Sequence, residues 1–240
     1  TGIPACIIII EKSEAAGRKG VFMIDAKGGY IKDGAKNRLR EQDIRRIVDA
    51  WQAQRDVPHY ARFVPMEEIE RNDYNLNIPR YVSAPDTEIL QDIDAHLHGG
   101  LPKHDIDQFD TYWEVCPSLC DDLFCDYPTR KGYYSLKCNP EAVRDAVTGN
   151  VDFRNQKEVF QKSFAGWCDS HRAQLYALVP GFAPKKLIER LGNSLLAVFE
   201  VDKSLVEAYD VYDGLMNYWG ETMQDDCYMI SSGGWTVQLY

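Results

Sequence analysis

A predominantly helical α+β fold is what this 240-residue sequence predicts. Three observations carry that expectation. Two apolar runs rich in β-branched residues, Ala5 to Ile10 and Val21 to Ile24, stand near the start and read as strands. Three long stretches in the second half repeat apolar residues at spacings of three and four and read as helices of a bundle. Ser83-Ala84-Pro85 marks the change of character, so the expected division is 1–82 against 83–240.

The first two runs are joined by the polar segment from Glu11 to Gly20, which suggests an N-terminal β-hairpin. Neither run alternates polar with apolar residues, so both faces should be covered, as in the interior of a larger sheet. The expectation that follows is a chain beginning in the middle of a domain. Lys27 to Asn37, rich in glycine and lysine and without an apolar period, reads as a surface loop. Glu41 to Arg55 places Ile44, Ile47, Val48 and Trp51 on one face of a helix that should pack on the sheet. Pro65 suits a helix start for Met66 to Arg71. Tyr74 to Val82 then reads as an extended arm lying across a surface, because Pro79 biases Ile78 away from helix.

From Thr87 the pattern turns helical. Thr87 to His98 stops at Gly99-Gly100. Lys103 to Val115 and Pro117 to Phe124 follow, with a short strand or turn around Gly132-Tyr133-Tyr134 and a helix after Asn139-Pro140. The three long periodic stretches are Asp152 to Leu178, Lys185 to Phe199 and Lys203 to Met223. Cys227 to Ile230 and Trp235 to Tyr240, separated by Ser231 to Gly234, suggest a terminal hairpin.

Charge is distributed unevenly. Residues 1–82 carry 14 Lys and Arg against 12 Asp and Glu, whereas the remainder carries 13 against 25. Within Arg18 to Arg46 nine basic residues meet four acids, a local basic face that could contact phosphate or simply be solvated. No run approaches the roughly 20 apolar residues of a membrane span, and a cytoplasmic protein is expected. Seven cysteines, an odd number in a chain of this size, favour reduced thiols. Cys116, Cys120 and Cys125 lie among Val115, Leu119, Leu123 and Phe124, where cysteine serves as a small core residue better than as a zinc ligand.

Motifs for chemistry are missing. There is no Gly-x-Gly-x-x-Gly after a strand, no phosphate loop, no His-Glu-x-x-His and no nucleophile elbow. His96 and His98 fall on different sides of a helix, and the adjacent Asp225 and Asp226 point apart, so neither pair makes a convincing metal or acid–base site. No metal is expected.

The ordered set Thr1-Gly2-Ile3-Pro4-Ala5-Cys6-Ile7, Phe22-Met23-Ile24-Asp25-Ala26 and Tyr74-Asn75-Leu76-Asn77-Ile78-Pro79-Arg80-Tyr81-Val82 resembles the C-terminal part of the modification (M) subunit of type I restriction-modification systems. His98-Gly99-Gly100-Leu101-Pro102, Tyr112-Trp113-Glu114, Pro117-Ser118-Leu119, Tyr209-Asp210-Val211-Tyr212 and Leu215-Met216 through to Asp225-Asp226 extend the likeness into the tail of one branch of that family. The resemblance implies a DNA methyltransferase that uses S-adenosylmethionine to methylate N6 of adenine, with residues 1–82 as the end of its α/β catalytic domain. It implies no catalytic residue here, because the family's Asn-Pro-Pro-aromatic motif and cofactor glycines precede the Thr-Gly-Ile-Pro segment; Asn139-Pro140-Glu141-Ala142 is not that motif. This piece alone should therefore be inactive and bind no cofactor.

By the same resemblance, Thr1, Gly2, Ile3 and Pro4 would border the pocket of the flipped target base. Lys32, Lys36 and Arg38 are the expected DNA phosphate contacts. The expected partners are DNA, a specificity (S) subunit, a second M subunit and a restriction (R) subunit, the acidic helical tail serving as a protein-docking element. Two alternatives stay open at this point: a non-catalytic helical module that assembles with the S and R subunits, and a nucleic-acid-binding module without a catalytic parent.

Overall fold

The structure is a computed structural model that describes residues 5–13, 15–83, 91–200 and 204–236. The fold is α+β and predominantly helical, with small antiparallel sheets. The chain divides into two compact units, Thr1–Glu88 and Ile89–Tyr240.

In the first unit, strand β1 (Gly20–Ile24) pairs antiparallel with β4 (Ala61–Pro65), in the register Gly20↔Pro65 to Ile24↔Ala61. Between them lie β2 (Ile31–Asp33), β3 (Lys36–Arg38) and helix α1 (Glu41–Ala53). Helix α2 (Met66–Arg71) follows β4 directly. Met23, Val64, Ile69, Tyr81 and Val82 form the core. Bidentate pairing of Arg62 with Glu68, at 3.0 and 2.8 Å, ties β4 to α2. The helix closes by bonds from Asp73 N–H to Glu70 C=O and from Tyr74 N–H to Ile69 C=O, a Schellman pattern that sets Asp73 and Tyr74 at positive φ.

Three expectations for this unit are corrected. Ala5 to Lys12 forms no strand, and β1 takes its partner from β4, forty residues on, in place of the preceding isoleucines. Ile7, Ile8, Ile9 and Ile10 are 89, 74, 67 and 80% exposed. Helix α1 forms as expected, yet its apolar face stays half exposed at Ile44, Val48 and Trp51, because the sheet beside it is only two strands wide. The arm after Tyr74 ends in a 3-10 turn at Ile78–Arg80 and then enters the core, where Tyr81 and Val82 are each 3% exposed.

The second unit opens with α3 (Ile93–His98), β5 (Leu101–Pro102), α4 (Lys103–Asp107), α5 (Asp110–Val115) and α6 (Pro117–Leu123). Strands β6 (Phe124–Asp126) and β7 (Tyr133–Leu136) join β5 in an antiparallel sheet of order β5-β7-β6. Helix α7 (Val143–Gly149) leads into α8 (Val151–Tyr176) through Asn150. Asn150, 4% exposed, caps α8 by accepting from Asp152 and Phe153 N–H. Its amide donates to Ser118 Oγ and Asp122 Oδ2, while Asp152 accepts from the Ser118 backbone and hydroxyl, so one asparagine joins α6 to the start of α8. Around this junction Val115, Cys116, Leu119 and Leu123 form a core, with Cys116 fully buried. Cys120 is half-buried and Cys125 exposed.

Helix α9 (Pro184–Phe199) is the centre of the bundle. Leu187, Ile188, Leu191, Leu195, Leu196 and Phe199, the residues its spacing singles out, are all buried. Losing any one Leu side chain from such a position costs about 2–5 kcal/mol. Trp167 of α8 packs on this face and donates from Nε1 to Ser194 Oγ, which also lies 3.1 Å from His171 Nε2. Helix α10 (Ala208–Tyr218) passes through a π turn at Trp219–Met223 into α11 (Gln224–Gly233).

The expected terminal hairpin is overturned by α11. Trp219, Met223 and Cys227 recur at four-residue spacing on the core side, and the bundle buries Cys227 at 3% exposure. The strand expected over Cys227 to Ile230 is therefore part of a helix packed on the bundle. Residues 237–240, the rest of that hairpin, lie outside the described residues. Asp225 and Asp226 are exposed on α11.

Candidate nucleic-acid interface

The glycine- and lysine-rich segment expected as a loop is a hairpin. Asp33 pairs with Lys36 across Gly34-Ala35, with Gly34 at φ +59°, the pattern of a tight two-residue turn led by glycine. Gly34, at the first of the two central turn positions, was the available signal. The register pairs Ile31 with Arg38, Lys32 with Asn37 and Asp33 with Lys36. Because side chains alternate along a strand, Lys36 and Arg38 share one face with Ile31 and Asp33, and Lys32 projects from the other with Asn37. The structure thus brings the three phosphate candidates onto one ribbon but not onto one face.

Each neighbour tunes how available these cations are. Lys32 Nζ donates to Asn37 Oδ1 at 2.7 Å and lies 5.6 Å from the Tyr30 ring centre. Arg38 Nε is 3.4 Å from Asp33 Oδ2, both side chains being more than half exposed, a pairing worth so little in water that a phosphate could displace it. Lys36 is exposed.

The rest of the basic stretch is largely committed within the fold. Arg18 pairs with Glu11, Lys27 with Asp25, and Arg45 with Asp49 one turn along α1. The Arg46 guanidinium lies 4.5 Å from the Tyr60 ring centre. Burial raises the Tyr60 hydroxyl above its ordinary pKa, partly offset by the Arg46 charge. At the start of α1 the Asp43 carboxylate accepts from Arg40 N–H at 2.9 Å and from Arg40 Nε and Nη2 at 3.0 Å each. Those bonds to Arg40 hold Asp43 below the usual carboxylate range. Sequence reading counted Arg40 in the basic face without seeing this lock.

Gly29 lies over the same carboxylate: a Cβ there would stand 2.7 Å from Asp43 Oδ1. A side chain at Gly29 is therefore blocked by Asp43, whereas Gly28 has open space beside it. Among the described residues no group of three or more His, Cys, Asp and Glu is placed to hold a metal ion. Thr1, Gly2, Ile3 and Pro4 lie outside the described residues.

Comparison with known proteins bears on this same unit. Residues 1–89 match the N-6 DNA Methylase family model. The chain is 37% identical over 84 residues to the type I restriction enzyme MjaVIII methylase subunit of Methanocaldococcus jannaschii, covering 33% of this chain and 14% of that protein. It is 36% identical over 96 residues to the HindI methylase subunit of Haemophilus influenzae, covering 37% and 21%. The crystal structure of the type I restriction-modification system methyltransferase subunit from Streptococcus thermophilus shares 37% identity over 28% of this chain and 15% of that one, with a TM-score of 0.27. The chain spans about a seventh to a fifth of the length of these curated relatives. The residues that match the family model are those of the unit that carries β1–β4, the hairpin and α1.

Proposed function

We propose that this chain is the C-terminal part of a type I restriction-modification modification subunit, whose complete form transfers a methyl group from S-adenosylmethionine to N6 of adenine in DNA. The match of residues 1–89 to the N-6 DNA methylase family carries the reading. The uncovered apolar surface of the first unit supports it, since Ile7 to Ile10 and the Ile44, Val48 and Trp51 face of α1 are apolar residues that a larger domain would cover.

On this reading residues 1–82 close the catalytic domain, Thr1 to Pro4 border the target-base pocket, and residues 83–240 form a helical domain that docks protein. The hairpin meets DNA edge-on, so that Lys32 on one face and Lys36 and Arg38 on the other reach phosphates on either side of a groove wide enough for a two-stranded ribbon. The partners are DNA, the S subunit, a second M subunit and the R subunit. The compartment is the cytoplasm; among the described residues no helix is long and apolar enough to cross a membrane.

Methyl transfer to adenine-containing duplex DNA tests the proposal, measured for the 240-residue chain alone and for the complete subunit assembled with its S subunit. Transfer by the complete assembly and none by the chain alone is expected. Transfer by the isolated chain, or an assembly that leaves adenine unmodified, would overturn it.

A further inference from the structure

An aromatic cleft in the second unit has the wrong charge for DNA and the right one for protein. Phe109, helices α5 and α6 and Val147 of α7 border an open hollow of about 230 Å³ lined by Phe109, Tyr112, Trp113, Leu119, Leu123 and Val147. Leu119 and Leu123 form its floor and belong to the buried core, at 6 and 4% exposure. Phe109 and Tyr112 stand at its mouth, 49 and 51% exposed, with ring centres 6.1 Å apart. Trp113 is held edge-on to both Phe109 and Phe124 and donates from Nε1 to Ile106 C=O at 2.8 Å, which fixes the wall between them. The space suits one or two large side chains and is smaller than usual cofactor pockets of about 300–1,000 Å³.

The surroundings are strongly acidic. Residues 103–126 contain seven Asp and Glu against the single Lys103, whose ammonium sits 5.0 Å from the Tyr134 ring centre. Asp110, Glu114 and Asp121 are exposed on α5 and α6, and Asp107 is exposed at the end of α4 just before Phe109. Such a field repels phosphate and attracts Lys and Arg. Half-exposed aromatic rings over an apolar floor are the kind of anchor point that dominates protein interfaces.

We propose that this cleft docks a cationic amphipathic segment of a partner protein, one apolar side chain filling the space between Phe109, Tyr112 and Trp113 while flanking Lys or Arg residues meet the acidic rim. It rests on the second unit alone and stands or falls separately from the methylase reading. The test uses the whole chain and a short helical peptide with Leu at three- and four-residue spacing and Lys elsewhere, followed by calorimetry. Binding that weakens with salt, drops on the order of tenfold in Tyr112→Ala, and falls again when the peptide's Leu residues become Ser is expected. Asp110→Lys, which leaves the apolar wall intact, should also lose affinity. Unchanged affinity in Tyr112→Ala, or equal affinity for the Ser peptide, would show attraction by charge alone and overturn the proposal. So would Tyr112-dependent binding of a single-stranded oligonucleotide.

Discussion

Gly192 of α9 lies against the ring of Tyr212 of α10, so close that a Cβ at 192 would stand 2.7 Å from Tyr212 Cε2. The two helices approach only because one of them lacks a side chain at that point. Gly192→Ala should destabilise the bundle by about 1–3 kcal/mol, the usual range for overpacking, despite the better helix propensity of alanine. Urea denaturation would show the midpoint moving down, and Tyr212→Leu in the same chain should recover part of the loss.

The Arg40–Asp43 lock predicts a pH response with a definite sign. Asp43 has its folded pKa depressed, so its contribution is fully present above the unfolded carboxylate value of about 4 and is lost as pH falls through the lower folded value. Asp43→Asn should lower stability by about 1–3 kcal/mol at neutral pH and flatten the acid limb. Circular dichroism melts between neutral and strongly acidic pH would check both.

Asn150 serves α8 as cap and α6 as partner at the same time. Asn150→Ala removes the acceptor for two N–H groups and leaves Ser118 and Asp122 short of a donor. A loss of about 2 kcal/mol is expected, near the top of the capping range. Asn150→Asp should keep the cap but place a carboxylate against Asp122, so it should rescue less than a cap alone would. Chemical denaturation of the two variants would separate these roles.

If the ribbon meets phosphates on both faces, Lys32→Ala and Lys36→Ala should each reduce the dependence of DNA affinity on log salt by about 0.9, the slope that neutralising one duplex phosphate supplies. A double variant should be additive, since the two side chains project from opposite faces. An unchanged slope would remove the hairpin from the interface.

How much of this was legible depends on whether an element's partner is close in sequence. Helix α9 could be read residue by residue because every position of its buried face is apolar and local spacing alone fixes it. The strand Gly20–Ile24 was also visible, but its partner was not: Ala61–Pro65 has no two-residue alternation pointing back forty residues. Cys227 to Ile230 failed for a related reason, because four apolar residues fit either period and only the bundle decides. At the candidate interface, Lys32, Lys36 and Arg38 could be found from composition. Their division between faces needed the register set by Gly34, and the withdrawal of Arg40 needed the carboxylate of Asp43.

The π turn at Trp219–Met223 holds one residue more than an α-helical path of the same rise would need. Each residue after it therefore takes the place that its predecessor in sequence would hold on an uninterrupted α-helix, and it is Cys227, not Asp226, that reaches the core. Deleting a single codon there, Gly220 for instance, should close the turn to α-helix and leave Cys227 where it is, whereas the same deletion between Met223 and Cys227 would carry Tyr228 toward that place. Loss of one residue should thus be tolerated in the turn and costly just beyond it.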